Sequence, residues 1–565
     1  MDFKAHVIQR LAERSGLSQS EIESAVETPP EQAMGDLAFP CFPLAKVMRK
    51  APPLIAKDLA AEFSADEWIQ KAEAAGGYLN FFYNRAAYTK SVLDSVKQEG
   101  DAFGGSDMGK GKKVLVEFSS PNIAKPFHIG HLFSTAVGNS LEKIYRHLGY
   151  DTVKINHLGD WGTQFGKLIC AYKHWGVQEV VEKDPINELL KIYVKFHDEV
   201  ETKPELDDEA RMYFKQLEDG DAETTALWQY FRDISLKEFK RTYDMLGISF
   251  DSYAGESFYT DKMPEVVEML TEKGLLQESD RAQVVDLSDE NMPPCIIVKS
   301  DGTTIYATRD LAAAIYRKRT YDFEKNIYVV GMPQELHFKQ IFAVLEKMGY
   351  AWAKDCVHVG FGLVKFTDRK LSTRHGDVVF LEDVLSESIQ KTLDIVTKNN
   401  PDMEDTSEVA KTIGIGAVLY TFLKNSRIKD IVFSWDDMLD FEGESGPYVQ
   451  YTYARGRSIL RRAECSYEDA DYTKITSDDE YALIRQIGSM QDAVLDAAAK
   501  NEPFYVTRYV TNLARAFNKF YNSYPILKSD VDEETRKARL AVVDATTQVI
   551  RTALGLLGIQ TVEKM

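Results

Sequence analysis

Residues 120–131 read SPNIAKPFHIGH and bring Lys125, His128 and His131 within seven positions, with Gly130 between the two histidines. The stretch follows the apolar run VLVEF and precedes HLFSTAVGNSLEKIYRHLGY, so these groups stand where a strand gives way to a helix. There a glycine lets a flat ring such as adenine approach the backbone, while two imidazoles and the helix N-terminus face phosphate. Donors so placed stabilise a developing charge and attack nothing themselves. A plainer alternative is a helix start with incidental histidines. A second group, DRKLSTRHGD at 368–377, follows HVGFGLV and carries Lys370, Ser372 and Arg374. Basic and hydroxyl side chains after a late strand can close over a triphosphate and meet the charge that leaves with pyrophosphate. Its plainer alternative is a solvated basic loop.

The elements that must hold these groups follow from periodicity. VLVEFSS has the length and branching of a buried strand, HLFSTAVGNSLEKIYRHLGY reads as a helix ending at Gly149, and DTVKINHLGD supplies another strand. Strand, loop, helix and strand in that order predict a parallel doubly wound sheet, whose ligands lie beyond the carboxyl ends of the strands. Upstream, the sequence predicts an α+β module: an amphipathic first helix, a second helix through LAKVMRKAPPLIAKDLAAEF and the strand GGYLNFFYN. A helix from Arg85 to Gln98 and the glycine-rich GDAFGGSDMGKGKK then lead to the sheet. From about 172 to 270 helical, acidic segments interrupt the sheet pattern, which is expected to resume with QVVDL, PCIIVKS, NIYVVG and CVHVGFGLV. Beyond about 385 the chain reads as helix almost to its end. The fold class expected is an α/β Rossmann-like catalytic domain with an α+β N-terminal module and a C-terminal α-helical bundle. The boundaries are 1–108, 109–385 with the 172–270 insertion, a 386–440 helical connector and 441–565.

Composition narrows the classes. A chain of 565 residues exceeds what one core organises, and no apolar run approaches the ~20 residues of a membrane span. The N-terminus lacks the apolar stretch of a secretory signal, and the five cysteines have no paired spacing for zinc or redox chemistry, which together predict a cytoplasmic protein. The net charge of −20 does not exclude a nucleic-acid partner, because phosphate contact depends on local patches. Such patches are available: Arg455 and Arg462 share a helical face, as do Arg508, Arg515 and Lys519, with Val510, Leu513 and Phe517 turned inward.

The two signatures in this order resemble the HIGH and KMSKS pair of class I aminoacyl-tRNA synthetases. Six ordered blocks, SSPNIAKPFHIGH, NHLGDWGTQFG, TIYATRD, GMPQELHFKQ, KLSTRHGD and PYVQYTYARGRSIL, resemble those of the arginyl-tRNA synthetases, and the likeness runs from GGYLNFFYN to ALGLLGIQTVEKM. The resemblance implies that Glu117 and Asn122 bind the amino acid, and that Tyr306, Asp310 and Gln334 complete a pocket for its guanidinium. A guanidinium's rigid fork of donors demands planar acceptors and a carboxylate. His128, Gly130, His131, Lys370 and Ser372 would hold ATP, with Mg2+ neutralising the triphosphate. Catalytic roles fall to Lys125, His128, His131, Lys370 and Arg374.

One departure matters: Thr373 stands where the generic signature has its second lysine. A lost preorganised donor raises a barrier by about 2.7 to 4 kcal/mol, so another cation must substitute, and Lys125 is the expected one. The implied reaction is attack of arginine's carboxylate on the α-phosphorus of ATP, then transfer of the arginyl group to a terminal ribose hydroxyl of arginine tRNA. The family usually requires bound tRNA for the first step, is commonly monomeric, and would use the bundle for the anticodon and the N-terminal module for the tRNA elbow. Two alternatives remain at this stage. One is a small-molecule nucleotidyltransferase with the same loop, which the long bundle disfavours; the other is a non-catalytic tRNA-binding relative, which should have lost its phosphate-site residues.

Overall fold

In a computed structural model the structure describes residues 2–300, 305–366, 379–401 and 403–565. The helix predicted at the N-terminus forms over Phe3–Ser15, capped by the Asp2 side chain on the Ala5 N–H. Behind it stand three strands rather than the single one expected: β1 (Leu37–Pro40), β2 (Ile69–Ala75) and β3 (Tyr78–Tyr83) form an antiparallel sheet in the order β1-β3-β2. β1 is a short LAFP beside prolines, and β2 reads IQKAEAA and turns most of its side chains to water, which hides it from pattern reading. The run LAKVMRKAPPLIAKDLAAEF is also two helices, Leu44–Met48 and Pro52–Glu62. Arg49 turns left-handed (φ 48°) and the prolines open the second helix, where they have no N–H to lose.

The central region holds β4 (Lys113–Glu117), β5 (Asp151–Ile155), β6 (Leu276–Ser279), β7 (Ala282–Val285), β8 (Cys295–Val298), β9 (Lys325–Tyr328), β10 (Cys356–His358), β11 (Val364–Phe366) and β12 (Ile431–Phe433). Four of them make the parallel sheet in the order β10-β9-β4-β5. Val114, Leu115 and Val116 of β4 are fully buried, as befits a strand covered on both faces. From β4 the chain steps to β5 on one side and later to β9 and β10 on the other, which makes the carboxyl edge between β4 and β9 a topological switch point. The expectation that QVVDL and PCIIVKS rejoin this sheet is corrected: β6, β7 and β8 form a separate antiparallel sheet. Its hairpin turns on Asp280 and Arg281, both left-handed (φ 48° and 63°), a primed turn without the usual Asn-Gly signature. The late region also contains a strand, β12, paired parallel with β11.

The Thr163–Trp175 helix leads into residues 172–270, where the chain is mostly helical, with Pro185–Val200, Glu205–Glu218 and Ala222–Leu246. Cys170, on the Thr163–Trp175 helix, lies within 4.8 Å of His174 and Glu209, but burial pushes its thiol up to about 12, so it stays a protonated thiol beneath a His–Glu hydrogen bond. The C-terminal bundle includes Gly446–Arg462, Asp478–Gly488, Phe504–Ser523 and Glu533–Leu556, and Val510, Leu513 and Phe517 are fully buried in it. One apolar core runs from the parallel sheet through the Ile129–His147 helix into this bundle. The helix that begins with the signature is thereby seated on the C-terminal helices. No helix among the described residues is long and apolar enough to cross a membrane.

Candidate active site

The Ile129–His147 helix starts with a reciprocal cap made by its two histidines. His128 is the N-cap: its Nδ1 accepts from the Gly130 N–H at 3.1 Å, while its own N–H donates to His131 Nδ1 at 3.2 Å. An Nδ1 that accepts carries no proton, so both neutral rings hold their hydrogen on Nε2. Neither Nε2 has a hydrogen-bond partner among the described residues. Burial lowers the pKa of His128, and burial together with His128 lowers that of His131 to about 3. The rings lie 3.8 Å apart, and His131 stacks on Phe127 at 5.3 Å. The pair thus offers two uncharged N–H donors; the site's positive charge must come from elsewhere.

Lys125 is exposed, and its side chain has no hydrogen bond or ion pair among the described residues. Its backbone is fixed nonetheless. The Ala124 N–H donates to Ser235 Oγ at 3.0 Å, and the Ile123 N–H donates to Gly159 O at 3.1 Å. Ser119, Ser120 and Ala124 are all left-handed (φ 70°, 47° and 58°), a conformation that costs roughly 1 to 2 kcal/mol for each non-glycine residue. Such strain persists where neighbours over-determine the backbone. Here the Ser119 N–H donates to Ser134 Oγ at 3.0 Å and the Ser119 hydroxyl meets Tyr243 Oη at 2.7 Å. Asn122 is exposed beside Gly159, whose missing side chain makes room for the Asn122 Oδ1. Lys370, Ser372 and Arg374 lie outside the described residues. The chain beyond them returns to the first signature: the Ile129 N–H donates to Val379 O at 3.1 Å and the Leu381 N–H to Phe127 O at 3.0 Å.

Glu117 ends β4 between Ile155 of β5 and Tyr328 of β9. It is buried, and its Oε2 pairs at 2.6 Å with Arg317, which is fully buried. Arg317 Nη2 is 3.4 Å from His157 Nδ1, while its Nε and Nη1 have no hydrogen-bond partner among the described residues. Glu117 therefore faces a cation of the protein's own, a partner the sequence reading did not foresee.

Tyr306 and Asp310 open the Tyr306–Tyr321 helix and share a face one turn apart, as expected. The structure adds His337, three residues beyond the exposed Gln334, whose Nε2 is 2.6 Å from Asp310 Oδ2 and whose ring lies 4.8 Å from that of Tyr306. Glu256 completes this side of the site. It pairs with Arg309 at 3.3 Å, and burial raises its pKa against the pull of Arg309, with Asp310 adding to the rise. Burial raises the pKa of Tyr328, Arg317 opposes the rise, and Glu117 and Asp310 add to it. His337, Glu256 and Arg317 sit on segments far apart in sequence, and only the tertiary fold juxtaposes them.

On the bundle, Arg455 bonds Asn518 Oδ1 at 2.5 Å and lies over the rings of Tyr451 and Tyr521. Arg515 pairs with Glu444 and Lys519 with Asp479, while Arg462 and Arg508 remain exposed without an ion pair among the described residues. Exposed pairs of this kind are weak and are screened by salt.

Comparison with known proteins agrees along the whole chain. Family models match for the catalytic domain of the class I tRNA synthetases (R) over residues 93–435, for the DALR anticodon binding domain over 449–565 and for the arginyl tRNA synthetase N terminal domain over 1–83. Among curated proteins, arginine–tRNA ligases of Clostridium botulinum (strain Alaska E43) and Clostridium perfringens (strain 13) are 57% and 58% identical, each aligned over all of both chains. The solved arginyl-tRNA synthetase of Thermus thermophilus superposes with a TM-score of 0.80 at 26% identity, covering 96% of each chain.

Proposed function

The chain belongs to the class I arginyl-tRNA synthetases and attaches arginine to tRNA at the expense of ATP, and from that premise we propose how its residues divide the work. The carboxylate of arginine attacks the α-phosphorus of ATP, the bond to the β-phosphate oxygen breaks, and pyrophosphate leaves arginyl-adenylate behind. A ribose hydroxyl of the terminal adenosine then attacks the adenylate carbonyl and AMP departs. ATP enters as its Mg2+ complex, which neutralises part of the triphosphate charge. No side chain need act as nucleophile, so the protein's task is position and charge.

The observation that carries this reading is the first signature itself: two imidazoles locked as Nε2–H donors, and beside them one lysine whose side chain has no partner among the described residues. His128 and His131 donate to phosphate oxygens, Gly130 admits the nucleotide, and Lys125 supplies the cation that Thr373 does not. Lys370, Ser372 and Arg374 complete the phosphate contacts. Asn122 and Glu117 hold the main-chain end of arginine, Glu117 under the control of Arg317. Tyr306, Asp310 and Gln334 take the guanidinium. The bundle holds the anticodon arm and the N-terminal module the elbow of the tRNA; the enzyme works as a cytoplasmic monomer and needs bound tRNA to form the adenylate. Exchange of labelled pyrophosphate into ATP, run with each of the twenty amino acids with and without total tRNA, tests the reading. Exchange with arginine alone, and only when tRNA is present, is the expected result; exchange with another amino acid overturns the pocket, and exchange without tRNA overturns the tRNA requirement.

A further inference from the structure

We propose that His337 is a positioning residue for arginine recognition: it holds the carboxylate of Asp310 by one oxygen and turns the other towards the guanidinium. The proposal rests on the assignment of Asp310 to the guanidinium and extends it to a residue on another helix. His337 lies in the first turn of the Glu335–Lys347 helix, and its side chain is 12% exposed against 25% for Asp310. An ionised carboxylate only accepts, so the hydrogen in the 2.6 Å contact belongs to His337 Nε2. Asp310 Oδ2 is thereby occupied, and Oδ1 has no partner among the described residues.

This arrangement solves a geometric problem. An aspartate at the start of a helix can rotate its carboxylate plane freely, whereas a guanidinium reads a fixed plane through two parallel hydrogen bonds. A donor on one oxygen fixes the plane, and the Tyr306 ring against the imidazole at 4.8 Å fixes the donor.

Steady-state kinetics of the full-length enzyme with tRNA present test the proposal. His337→Ala is expected to raise the KM for arginine at least tenfold and to leave the KM for ATP within twofold. His337→Gln, whose amide nitrogen reaches the place of Nε2, should restore arginine KM to within threefold. His337→Asn, whose amide reaches only the place of Nδ1, should not. This Gln–Asn contrast carries the test should the alanine variant melt early, because both amides lack the ring equally. Since His337 acts through Asp310, the double variant Asp310→Asn/His337→Ala should bind arginine no worse than Asp310→Asn alone. Unchanged arginine KM in His337→Ala, equal behaviour of Gln and Asn, or effects that multiply in the double variant would each overturn the proposal while leaving the pocket intact. Unchanged arginine KM in Asp310→Asn would instead remove the pocket assignment and the proposal with it.

Discussion

At the residue scale the first signature separates hydrogen bonding from charge. Its histidines are neutral donors, so Lys125 is the group whose removal should be felt in the chemical step. Lys125→Ala is expected to slow adenylate formation about a hundredfold, the usual effect of losing one preorganised donor, with tRNA affinity unchanged. Single-turnover formation of arginyl-adenylate measures it, and a rate within a few-fold of wild type would remove Lys125 from the mechanism. The same histidines make a prediction about acid. His131 titrates at about 3 in the folded chain and near 6.5 when unfolded, because burial and His128 disfavour its cation. Between those values the unfolded chain binds the extra proton, so the stabilisation is complete above about pH 6.5 and fades as the pH falls towards 3. His131→Asn keeps an acceptor for the His128 N–H but does not titrate. Its urea midpoint should therefore fall less than that of wild type between pH 7.5 and pH 5; equal falls would show that His131 is not the group responsible.

At the element scale the decisive contact is the crossing of the Ile129–His147 helix over the end of β4. Gly138 lies buried in the middle of that helix, and a side chain there would overlap Phe118 Cβ and Cγ. Helix propensity alone favours alanine over glycine by about 1 kcal/mol. Close approach predicts the reverse: Gly138→Ala should destabilise by about 1 to 3 kcal/mol, as overpacking does, and lower kcat because His128 and His131 ride on the displaced helix. A denaturant melt decides the sign, and a stabilised variant would refute the contact. This helix was legible in advance because a β-branched run, a proline-rich loop and a terminal glycine bracket it. The antiparallel β6-β7-β8 sheet was not, since a four-residue strand has the same local pattern in either sheet and only its turn at Asp280 and Arg281 sets the direction. Tyr306 and Asp310 could be paired from their four-residue spacing; His337, 27 residues further on, and Arg317 beside Glu117 could not, because no periodicity links two different elements.

At the scale of the whole molecule the bundle touches both other parts. Asp36 of the N-terminal module meets Arg485 at 3.3 Å and accepts from Tyr481 Oη at 3.0 Å, and Arg85 pairs with Asp478 at 2.8 Å. On the other side the signature helix is bonded to the bundle directly. Ser140 Oγ donates to Leu556 O at 2.9 Å, and Tyr145 Oη lies 2.9 Å from Ala498 O and 2.8 Å from Asn501 Oδ1 while accepting from Lys325 of β9 at 2.9 Å. Tyr145 is thus one side chain shared by the parallel sheet, the helix that carries His128 and His131, and the anticodon-binding region. A tRNA held by the bundle can bias the signature helix only through a physical contact of this kind. Tyr145→Phe removes the hydroxyl and keeps the ring. It should leave the Kd for tRNA within twofold, because no proposed tRNA contact is touched, yet lower tRNA-dependent pyrophosphate exchange at saturating tRNA by fivefold or more. Full stimulation in this variant would show that the tRNA requirement is met inside the catalytic domain, by the acceptor end of the tRNA itself, and that the contact at Tyr145 serves only to hold the two regions together.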